Sequence, residues 1–350
     1  MNTEIVKVDL ERVSEYTDVL ARASELIKRG GLVVFPTETV YGLGANGLDS
    51  EAARKIYEAK GRPSDNPLII HIASPVDATK YTYTDELYFR LAERFMPGPL
   101  TVVMKARDSV PMATRAGLPT VAVRCPENKI ARKLIELSGV PIAAPSANLS
   151  GSPSPTNAHD VADDMLGRVD MIIDGGECDF GLESTIVKIE DNGTMTLLRP
   201  GRITPDELSG IAPVRIADAV TDKLREGEIV LSPGMKYRHY APSAELLLLD
   251  GAPADVVRYV NSEGVGNSAI ICYDEDVDYY RRELADSHVY PFGEREDMQA
   301  QAHSLFSLLR EIDRGEYARI YAPLPEKRGI GLALYNRMIR AAAHTIIKLK

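Results

Sequence analysis

The chain has 350 residues, more than a single hydrophobic core usually organises, so its length predicts two domains. Its net charge of -10 argues against a wide nucleic-acid-binding surface, although a small basic pocket would still be compatible with it. The three cysteines, Cys125, Cys178 and Cys272, are far apart and lack the spacing of metal ligands, which is typical of a reducing compartment.

The sequence contains no run close to the ~18 apolar residues that a membrane-spanning helix needs. Its first residues also lack the apolar core of a signal peptide. We therefore expect a cytoplasmic protein without a membrane partner.

The first two hundred residues mix helical and strand patterns. Apolar periodicity predicts a helix over residues 18–29 that ends at Gly30 and Gly31, followed by a buried strand over residues 32–35. Further helices are predicted over residues 50–59, 85–95 and 129–137, and further strands over residues 68–72, 100–104, 120–124, 141–144 and 171–173. Residues 185–198 predict a hairpin because Asn192 and Gly193 form a strong turn signal. We expect a mixed sheet.

The pattern changes after residue 201. Residues 202–245 contain recurrent prolines and weak periodicity, so they predict a linker of ~40 residues, which is longer than most idle connections. Strands then alternate with helices: strands are predicted over residues 246–249, 269–273, 289–292 and 319–322, and helices over residues 253–262, 277–285, 296–313 and 331–348. This alternation predicts a parallel sheet covered by helices, without a glycine-rich phosphate motif.

Polar residues follow the first buried strand. Thr37, Glu38 and Thr39 form either a functional strand-end cluster or a turn whose hydroxyls satisfy backbone groups. Gly42 and Gly44 allow either close approach of the backbone to a ligand or a tight turn.

A basic turn follows the second predicted helix. Lys60 alone would be explained by the helix dipole, but Arg62 lies between Gly61 and Pro63, where a rigid turn fixes its direction. His71 ends the next strand, where a lone histidine is more often structural than functional. Arg124 ends another predicted strand and requires a buried partner there.

Small polar residues and further cations occur at later strand ends. They are found at Ala144–Asn148, in the Ser- and Pro-rich residues 149–157, at Gly181–Thr185 and at Arg199. Hydroxyls and fixed cations suit electrostatic positioning of a polyphosphate, which needs no protein nucleophile. The sequence contains no pattern typical of a Ser-His-Asp triad, a zinc cluster, a Walker loop or a dinucleotide fingerprint.

Taken in order, PTETVYGLG, KGRP, NPL-x-x-H, SAN and RPG resemble the threonylcarbamoyl-AMP synthase family of YrdC-like proteins. SPGMKYRHYAP, residues 232–242, resembles the linker of the two-domain branch of that family. The resemblance implies an α/β protein with three parts. These are a YrdC-like catalytic domain over residues 1–206 with a mixed twisted sheet, a linker with a lid over residues 207–245, and a small Rossmann-like parallel domain over residues 246–350.

The resemblance also implies a nucleotidyltransferase reaction. L-threonine, bicarbonate and ATP give threonylcarbamoyl-adenylate, pyrophosphate and water, and a downstream tRNA threonylcarbamoyl transferase uses the product. Mg²⁺ is implied as a companion of ATP, and no protein residue is named as a metal ligand. We expect no stable binding of nucleic acid.

The site residues that the resemblance implies fall into three groups. Lys60 and Arg62 are the implied catalytic residues and contact the ATP phosphates. The other implied ATP contacts are Asn66, Thr120, Ser146, Asn148, Ser154, Arg199 and Ser232. The implied threonine contacts are Thr39, His71, Arg124, Ala144 and Ser184, and the implied lid residues are Tyr237 and His239.

Two alternatives to the synthase remain. In an RNA-binding module, Lys55, Lys60, Arg62 and Arg124 would form a basic concave face, although aromatics for base stacking are not interleaved with them. In a ligand-gated regulator, the second domain would be the output device. Pyrophosphate release distinguishes the synthase from both.

Overall fold

The computed structural model describes residues 2–222 and 239–349, which form two compact units. The first unit contains the described residues up to Val220 except 151–153. The second contains residues 239–349 together with residues 151–153 and 221–222. None of the helices in the described ranges is both long and apolar enough to cross a membrane.

The first unit is built on a mixed sheet. Its strands are β1 (Glu4–Lys7), β2 (Val33–Phe35), β3 (Gly42–Asn46), β4 (Ile69–His71), β5 (Leu100–Lys105), β6 (Thr120–Arg124), β7 (Ile142–Ala143), β8 (Met171–Asp174), β9 (Thr185–Ile189), β10 (Met195–Arg199) and β11 (Val214–Ile216). Its helices are α1 (Thr17–Lys28), α2 (Ser50–Lys60), α3 (Glu86–Phe95), α4 (Lys129–Ser138), α5 (Ala158–Met165) and α6 (Pro205–Ser209). Short 3-10 segments cover Leu10–Tyr16, Pro75–Lys80 and Asp218–Val220.

The strand order is β1-β8-β2-β3-β7-β4-β6-β5-β9-β10-β11. Parallel pairs such as β4 with β6 alternate with antiparallel pairs such as β5 with β6, which confirms the predicted mixed sheet. Helices α1 and α4 bury Leu20, Ile27, Ile130 and Leu134 against apolar side chains of the sheet, including Phe35.

Local signals explain where α2 begins and ends. The side chain of Asp49 accepts hydrogen bonds from the backbone of Glu51 and Ala52, as an N-cap residue does. Gly61 ends the helix in the left-handed conformation with φ of 60°, which glycine adopts without a steric penalty. These two signals place Lys60 in the last turn of the helix and Arg62 directly after it.

Several elements of this unit were not predicted. Residues 42–46 form β3 rather than a turn, and a Cβ atom on Gly44 would lie 2.7 Å from the Phe35 ring and 2.8 Å from Ile142. Glycine is therefore needed there for packing. β1, α5, α6 and β11 were also missed. α6 and β11 lie in the stretch predicted as a linker, and β11 pairs with β10 in the first unit.

The second unit is a smaller sheet with helices between its strands. Its strands are β12 (Glu245–Asp250), β13 (Ser268–Cys272), β14 (Ser287–Pro291), β15 (Arg319–Pro323) and β16 (Ile346–Lys348), and its helices are α7 (Pro253–Glu263), α8 (Val277–Glu283), α9 (Met298–Arg314) and α10 (Gly331–Ala341). The strand order is β14-β13-β15-β12-β16, with parallel pairing throughout, as predicted. A 3-10 segment, Asp274–Asp276, precedes α8.

The prediction of one helix over residues 331–348 is wrong. α10 ends at Ala341, and Ala343 and His344 adopt positive φ values of 48° and 65°. Ile346 and Ile347 then form β16, which pairs with β12. β-branched residues favour an extended conformation, and the edge of β12 is available to pair with them.

Candidate active site

Lys60 is buried and joins two of the predicted motifs. Its side chain lies in the last turn of α2, and the residue is only 3% exposed. Its Nζ donates hydrogen bonds to the backbone oxygens of Ser146 and Asn148, each at 2.6 Å. The hydroxyl of Ser146 in turn donates to Oδ1 of Asn148 at 2.5 Å. The ammonium group therefore fixes the Ser146–Asn148 loop, a role that the helix-dipole explanation does not provide.

Arg62 and Asn66 lie close together in the loop after α2. Nη2 of Arg62 donates to the backbone oxygen of Asn66 at 3.1 Å, and its guanidinium lies 5.9 Å from the centre of the Tyr57 ring. Asn66 is 1% exposed, and neither Oδ1 nor Nδ2 of its side chain finds a hydrogen-bond partner within residues 2–222 and 239–349. A buried amide without partners is costly, so it indicates a group that a ligand satisfies.

Thr120 belongs at the same end of the sheet as Arg62. It begins β6, whose register with β4 pairs Ile69 with Ala122. Continued by two residues, that register places Thr120 beside Pro67, whose backbone oxygen also accepts from Arg62 at 3.4 Å. The predicted nucleotide contacts Lys60, Arg62, Asn66, Thr120, Ser146 and Asn148 therefore come from the same part of the unit.

His71 and Arg124 lie side by side at the other end of these strands. His71 is 4% exposed, and its Nδ1 lies 3.3 Å from the backbone oxygen of Ile142, which can only accept, so Nδ1 carries the proton. Burial, and secondarily the charge of Arg124, lowers the pKa of His71 to about 3. His71 is therefore neutral near pH 7.

Glu38 is the buried partner that Arg124 was predicted to need. Nη2 of Arg124 lies 2.8 Å from Oε1 of Glu38, and the two side chains are 5% and 7% exposed. The sequence indicates Glu38 only as part of the polar turn, and neither as a site residue nor as the partner of Arg124. Because it is 86 positions away from Arg124 in the sequence, only the folded chain reveals the pair.

Ser184 and Arg199 extend this polar cluster. β5 pairs Thr101 with Arg124 across the sheet, and the Thr101 hydroxyl lies 2.7 Å from that of Ser184. Arg199 donates to Oγ of Ser184 at 3.1 Å and to its backbone oxygen at 3.0 Å. Thr101 was not predicted, and a threonine inside an apolar strand gives no sequence signal of such a role.

Ser154, Thr39 and Ala144 are also buried. The hydroxyl of Ser154 donates to Oε1 of Glu183 at 2.6 Å. The hydroxyls of Thr39 and Thr37 lie 2.9 Å apart, and that of Thr37 also donates to the backbone of Val40, so the turn explanation holds for Thr37. Ala144 donates its backbone N–H to Ile69 at 2.9 Å, which places it between β4 and the Ser146–Asn148 loop.

The predicted lid falls largely outside the described residues. Ser232 and Tyr237 lie there, so their predicted roles are not located. His239 is described, and its ring centre lies 5.7 Å from that of Tyr240 in the second unit.

The basic face of the RNA-binding alternative does not form from the residues named for it. Lys60 and Arg124 are buried and hold internal partners, and Lys55 donates to the backbone oxygen of Gly30 at 2.7 Å. The buried Lys60 and Arg124 cannot neutralise the phosphates of a long RNA surface, and of the four named residues only the exposed Lys55 and the half-buried Arg62 remain.

None of the three cysteines indicates a reactive thiolate. Cys125, Cys178 and Cys272 are buried and free, and burial raises the pKa of each thiol. Over residues 2–222 and 239–349, the one grouping with the spacing of metal ligands is His159, Asp160 and Asp163 on α5, of which two are exposed.

Comparison with known proteins identifies the family. A family model described as "Telomere recombination", covering Sua5, YciO and YrdC proteins, matches residues 25–201. A second, described as "Threonylcarbamoyl-AMP synthase, C-terminal domain", matches residues 203–343. A Pyrococcus abyssi protein named threonylcarbamoyl-AMP synthase is 45% identical, over 97% of this chain and 98% of that protein. The chain belongs to the threonylcarbamoyl-AMP synthase family.

Two further members of this family are similar to this chain over nearly its whole length. The Bacillus subtilis threonylcarbamoyl-AMP synthase is 40% identical, over 99% of this chain and 100% of that protein. The solved structure of Pyrococcus abyssi Sua5 complexed with L-threonine matches with a TM-score of 0.88 and 43% identity, over 99% of this chain and 100% of that one. The family similarity therefore includes both units.

Proposed function

We propose that this protein is a threonylcarbamoyl-AMP synthase, which converts L-threonine, bicarbonate and ATP into threonylcarbamoyl-adenylate, pyrophosphate and water. Identity of 40–45% over nearly the whole chain to proteins of that name carries the proposal. The tRNA modification threonylcarbamoyladenosine is the expected use of the product. A downstream tRNA threonylcarbamoyl transferase would receive it, and the cytoplasm is the compartment where we expect both.

The Arg124 cluster is proposed to hold threonine. A guanidinium binds a carboxylate through charge-assisted hydrogen bonds, and the hydroxyls of Thr101 and Ser184 lie in the same cluster, where they can position polar groups of the substrate. The carboxylate of Glu38 stabilises the buried guanidinium. Thr39, His71, Ala144 and Ser184 remain the proposed contacts to the rest of the amino acid.

The other end of β4 and β6 is proposed to hold ATP. The carbamate oxygen formed from threonine attacks the α-phosphorus, and pyrophosphate leaves, which makes the enzyme a nucleotidyltransferase. Arg62 can stabilise the phosphate charge that develops in this step. Lys60 supplies a second cation and fixes the Ser146–Asn148 loop beside it. Asn66, Thr120, Ser146 and Asn148 complete the proposed nucleotide contacts at this end. Ser154 and Arg199 remain proposed nucleotide contacts, but Arg199 lies in the Arg124 cluster, where it donates to Ser184. Ser232 is outside the described residues.

Threonine must lose its ammonium proton before it can form a carbamate. With its pKa lowered to about 3, His71 has little driving force to remove that proton near pH 7. A neutral imidazole can instead orient the amine. The carbamate is unstable in water, so exclusion of solvent protects it.

Mg²⁺ is proposed to arrive with ATP. Within the described ranges, the one grouping of histidine and carboxylate ligands, His159, Asp160 and Asp163, contains none of the proposed ATP contacts. The residues here do not fit a protein-held magnesium site, so we assign it no step of the reaction.

We keep the division into residues 1–206, 207–245 and 246–350 as a proposal, with residues 232–242 as a lid over the catalytic domain. Tyr237 and His239 are the residues proposed to close over the ligands. Two prolines bracket this stretch, and its aromatic and basic side chains suit covering a polar ligand.

Pyrophosphate release tests the proposed function directly. ATP, L-threonine and bicarbonate are supplied together and then omitted one at a time. A synthase releases pyrophosphate only when all three are present. Tight binding of ligands without release would favour a regulator, and salt-dependent retention of tRNA without release would favour an RNA-binding module.

A further inference from the structure

The second unit has a cavity at the carboxyl ends of its parallel strands. Its walls come from the ends of β12, β13 and β15 and from the segments that follow them, and include Asp250, Tyr273, Arg295, Gln301 and Glu326. The cavity measures about 200 Å³. It is formed entirely by residues 249–334 and lies in the unit that does not contain Lys60, Arg62 or Arg124.

The topology explains why a cavity occurs at this edge. In the strand order, the connections that follow β12 and β13 run towards the β14 edge of the sheet. The connections that follow β14 and β15 run towards the β16 edge. Right-handed crossovers then place α7 and α8 on one face of the sheet and α9 and α10 on the opposite face. The connections after the neighbouring strands β12 and β15 therefore diverge, which opens a crevice of the kind in which α/β proteins bind ligands.

Gln301 indicates that this crevice receives a ligand. It lies on α9, is only 2% exposed and lines the cavity. Its Nε2 donates to the backbone oxygens of Glu294 and Arg295, at 2.6 and 3.2 Å. Its Oε1 accepts no hydrogen bond from the described residues and is not one of their fully enclosed unpaired atoms, so solvent or a ligand in the cavity can reach it. A donor on a ligand would satisfy it.

One helix, α10, presents an uncapped first turn to the cavity, which Gly331 and Leu334 line. α10 follows β15, and no side chain of the described residues caps its N-terminus, whereas α9 is capped by Asp297. Uncapped N-terminal amides attract a negative group. Arg295 adds a cation: it pairs with Asp276 at 2.7 Å, stacks 4.3 Å from the centre of the Tyr273 ring and keeps 46% of its side chain exposed.

We propose that this crevice binds a zwitterion of amino-acid size, separately from the catalytic site. Arg295 and the N-terminus of α10 suit its carboxylate. Oε1 of Gln301 and the carboxylate of Asp250 suit its ammonium group, whereas the carboxylate of Glu326 pairs with Arg328. Pockets for drug-sized ligands measure roughly 300–1,000 Å³, so a ligand of this cavity is smaller than a dinucleotide. The acidic residues of the lining disfavour a free phosphate.

The test uses the full chain and backbone-amide NMR. Glycine, L-alanine and L-threonine are titrated separately, with inorganic phosphate and AMP as comparison ligands, while the amides of Gly251 and Gly331 report on the crevice. Threonine in the proposed catalytic site would move a different set of signals, such as that of Gly42. The two sites, and the failure of either proposal, are thus distinguished.

At least one amino acid should produce saturable shifts at Gly251 and Gly331. Arg295→Gln and Gln301→Met should each weaken that binding by at least about ten-fold, as expected when a hydrogen bond to a charged group is lost. Arg282→Gln is the control, because this exposed arginine on α8 pairs with Glu283 and does not line the cavity. If Gln301→Met fails to fold, Arg295→Gln still decides the result.

Three results would overturn the proposal. The first is the absence of saturable shifts up to about 10 mM of each amino acid, which is weaker than binding of metabolic relevance. The second is a response to phosphate or AMP alone. The third is an unchanged affinity: Arg295→Gln and Gln301→Met bind the amino acid as tightly as the Arg282→Gln control.

Discussion

The pair between Glu38 and Arg124 allows a quantitative test of the site. At 2.8 Å and an effective dielectric constant of about 20, Coulomb's law gives an attraction of about 6 kcal/mol before desolvation is subtracted. Removing one partner leaves the other charge buried without its counterion, which costs about 3–5 kcal/mol. Arg124→Met and Glu38→Gln should therefore each lower the free energy of unfolding by about that amount. The double variant should lose less than the sum of the two.

The assay is a double-mutant cycle by urea unfolding, followed by far-UV circular dichroism because the chain has no tryptophan. Arg22 and Glu4 provide a matched control within the same unit. They lie 2.9 Å apart, nearly the same distance, but their side chains are 56% and 45% exposed. An exposed pair should show a coupling energy of at most about 1 kcal/mol, whereas the buried pair should exceed about 2 kcal/mol. Equal coupling energies for the two pairs would refute this reasoning.

The other predictions concern catalysis and pH. Arg62→Ala should reduce pyrophosphate release by about 100-fold or more in a folded protein. Arg54→Ala, on the exposed face of α2, is the control and should not reduce it. Near-normal release by Arg62→Ala would rule out stabilisation of the phosphate charge by Arg62. Because the pKa of His71 falls from 6.5 unfolded to about 3 folded, its contribution to stability is complete above pH 6.5 and is lost as pH falls towards 3. His71→Gln should therefore flatten the loss of unfolding free energy by up to about 1.4 kcal/mol per pH unit in that range, and an unchanged slope would contradict the assignment. Serine should be a poor but detectable substrate, since one methyl group is worth ~1–3 kcal/mol, and equal efficiency with threonine would exclude a shaped pocket. ATP plus threonine should protect residues 232–242 from proteolysis, and unchanged cleavage would leave the lid proposal without support.

The sequence predicts much of the local structure because its signals are local. Asp49 and Gly61 determine where α2 begins and ends, and the Asn192-Gly193 turn predicts the hairpin of β9 and β10. Local signals fail where contact with a neighbouring element determines the secondary structure. β3 contains two glycines and lacks an ordinary strand pattern, yet it pairs with β2 and β7, and the ring of Phe35 occupies the space beside Gly44. β16 follows α10 so closely that its apolar residues continue the helical pattern, and only pairing with β12 makes it a strand.

The candidate site divides in the same way. Lys60, Arg62 and Arg124 stand out in the sequence because turns and strand ends fix them locally. Glu38 as the partner of Arg124, and Thr101 as the partner of Ser184, depend on strand register and on contacts across 80 or more positions of the chain. Sequence periodicity carries no information about such pairs, because one strand pattern is compatible with several neighbours.

The register of β4 and β6 connects the two halves of the proposed site. Thr120 begins β6 near Arg62 and Asn66, and Arg124 ends it beside His71. Four residues of extended chain separate Thr120 from Arg124 by about 13 Å. On the proposed function, the nucleotide and the amino acid occupy opposite ends of these strands, and the product that joins them lies along the sheet. The short strands thus set the separation between Arg62 and Arg124, and a rigid sheet maintains that distance more reliably than a loop can. A substitution that shifts the register of β6 should therefore impair catalysis even when both arginines are kept.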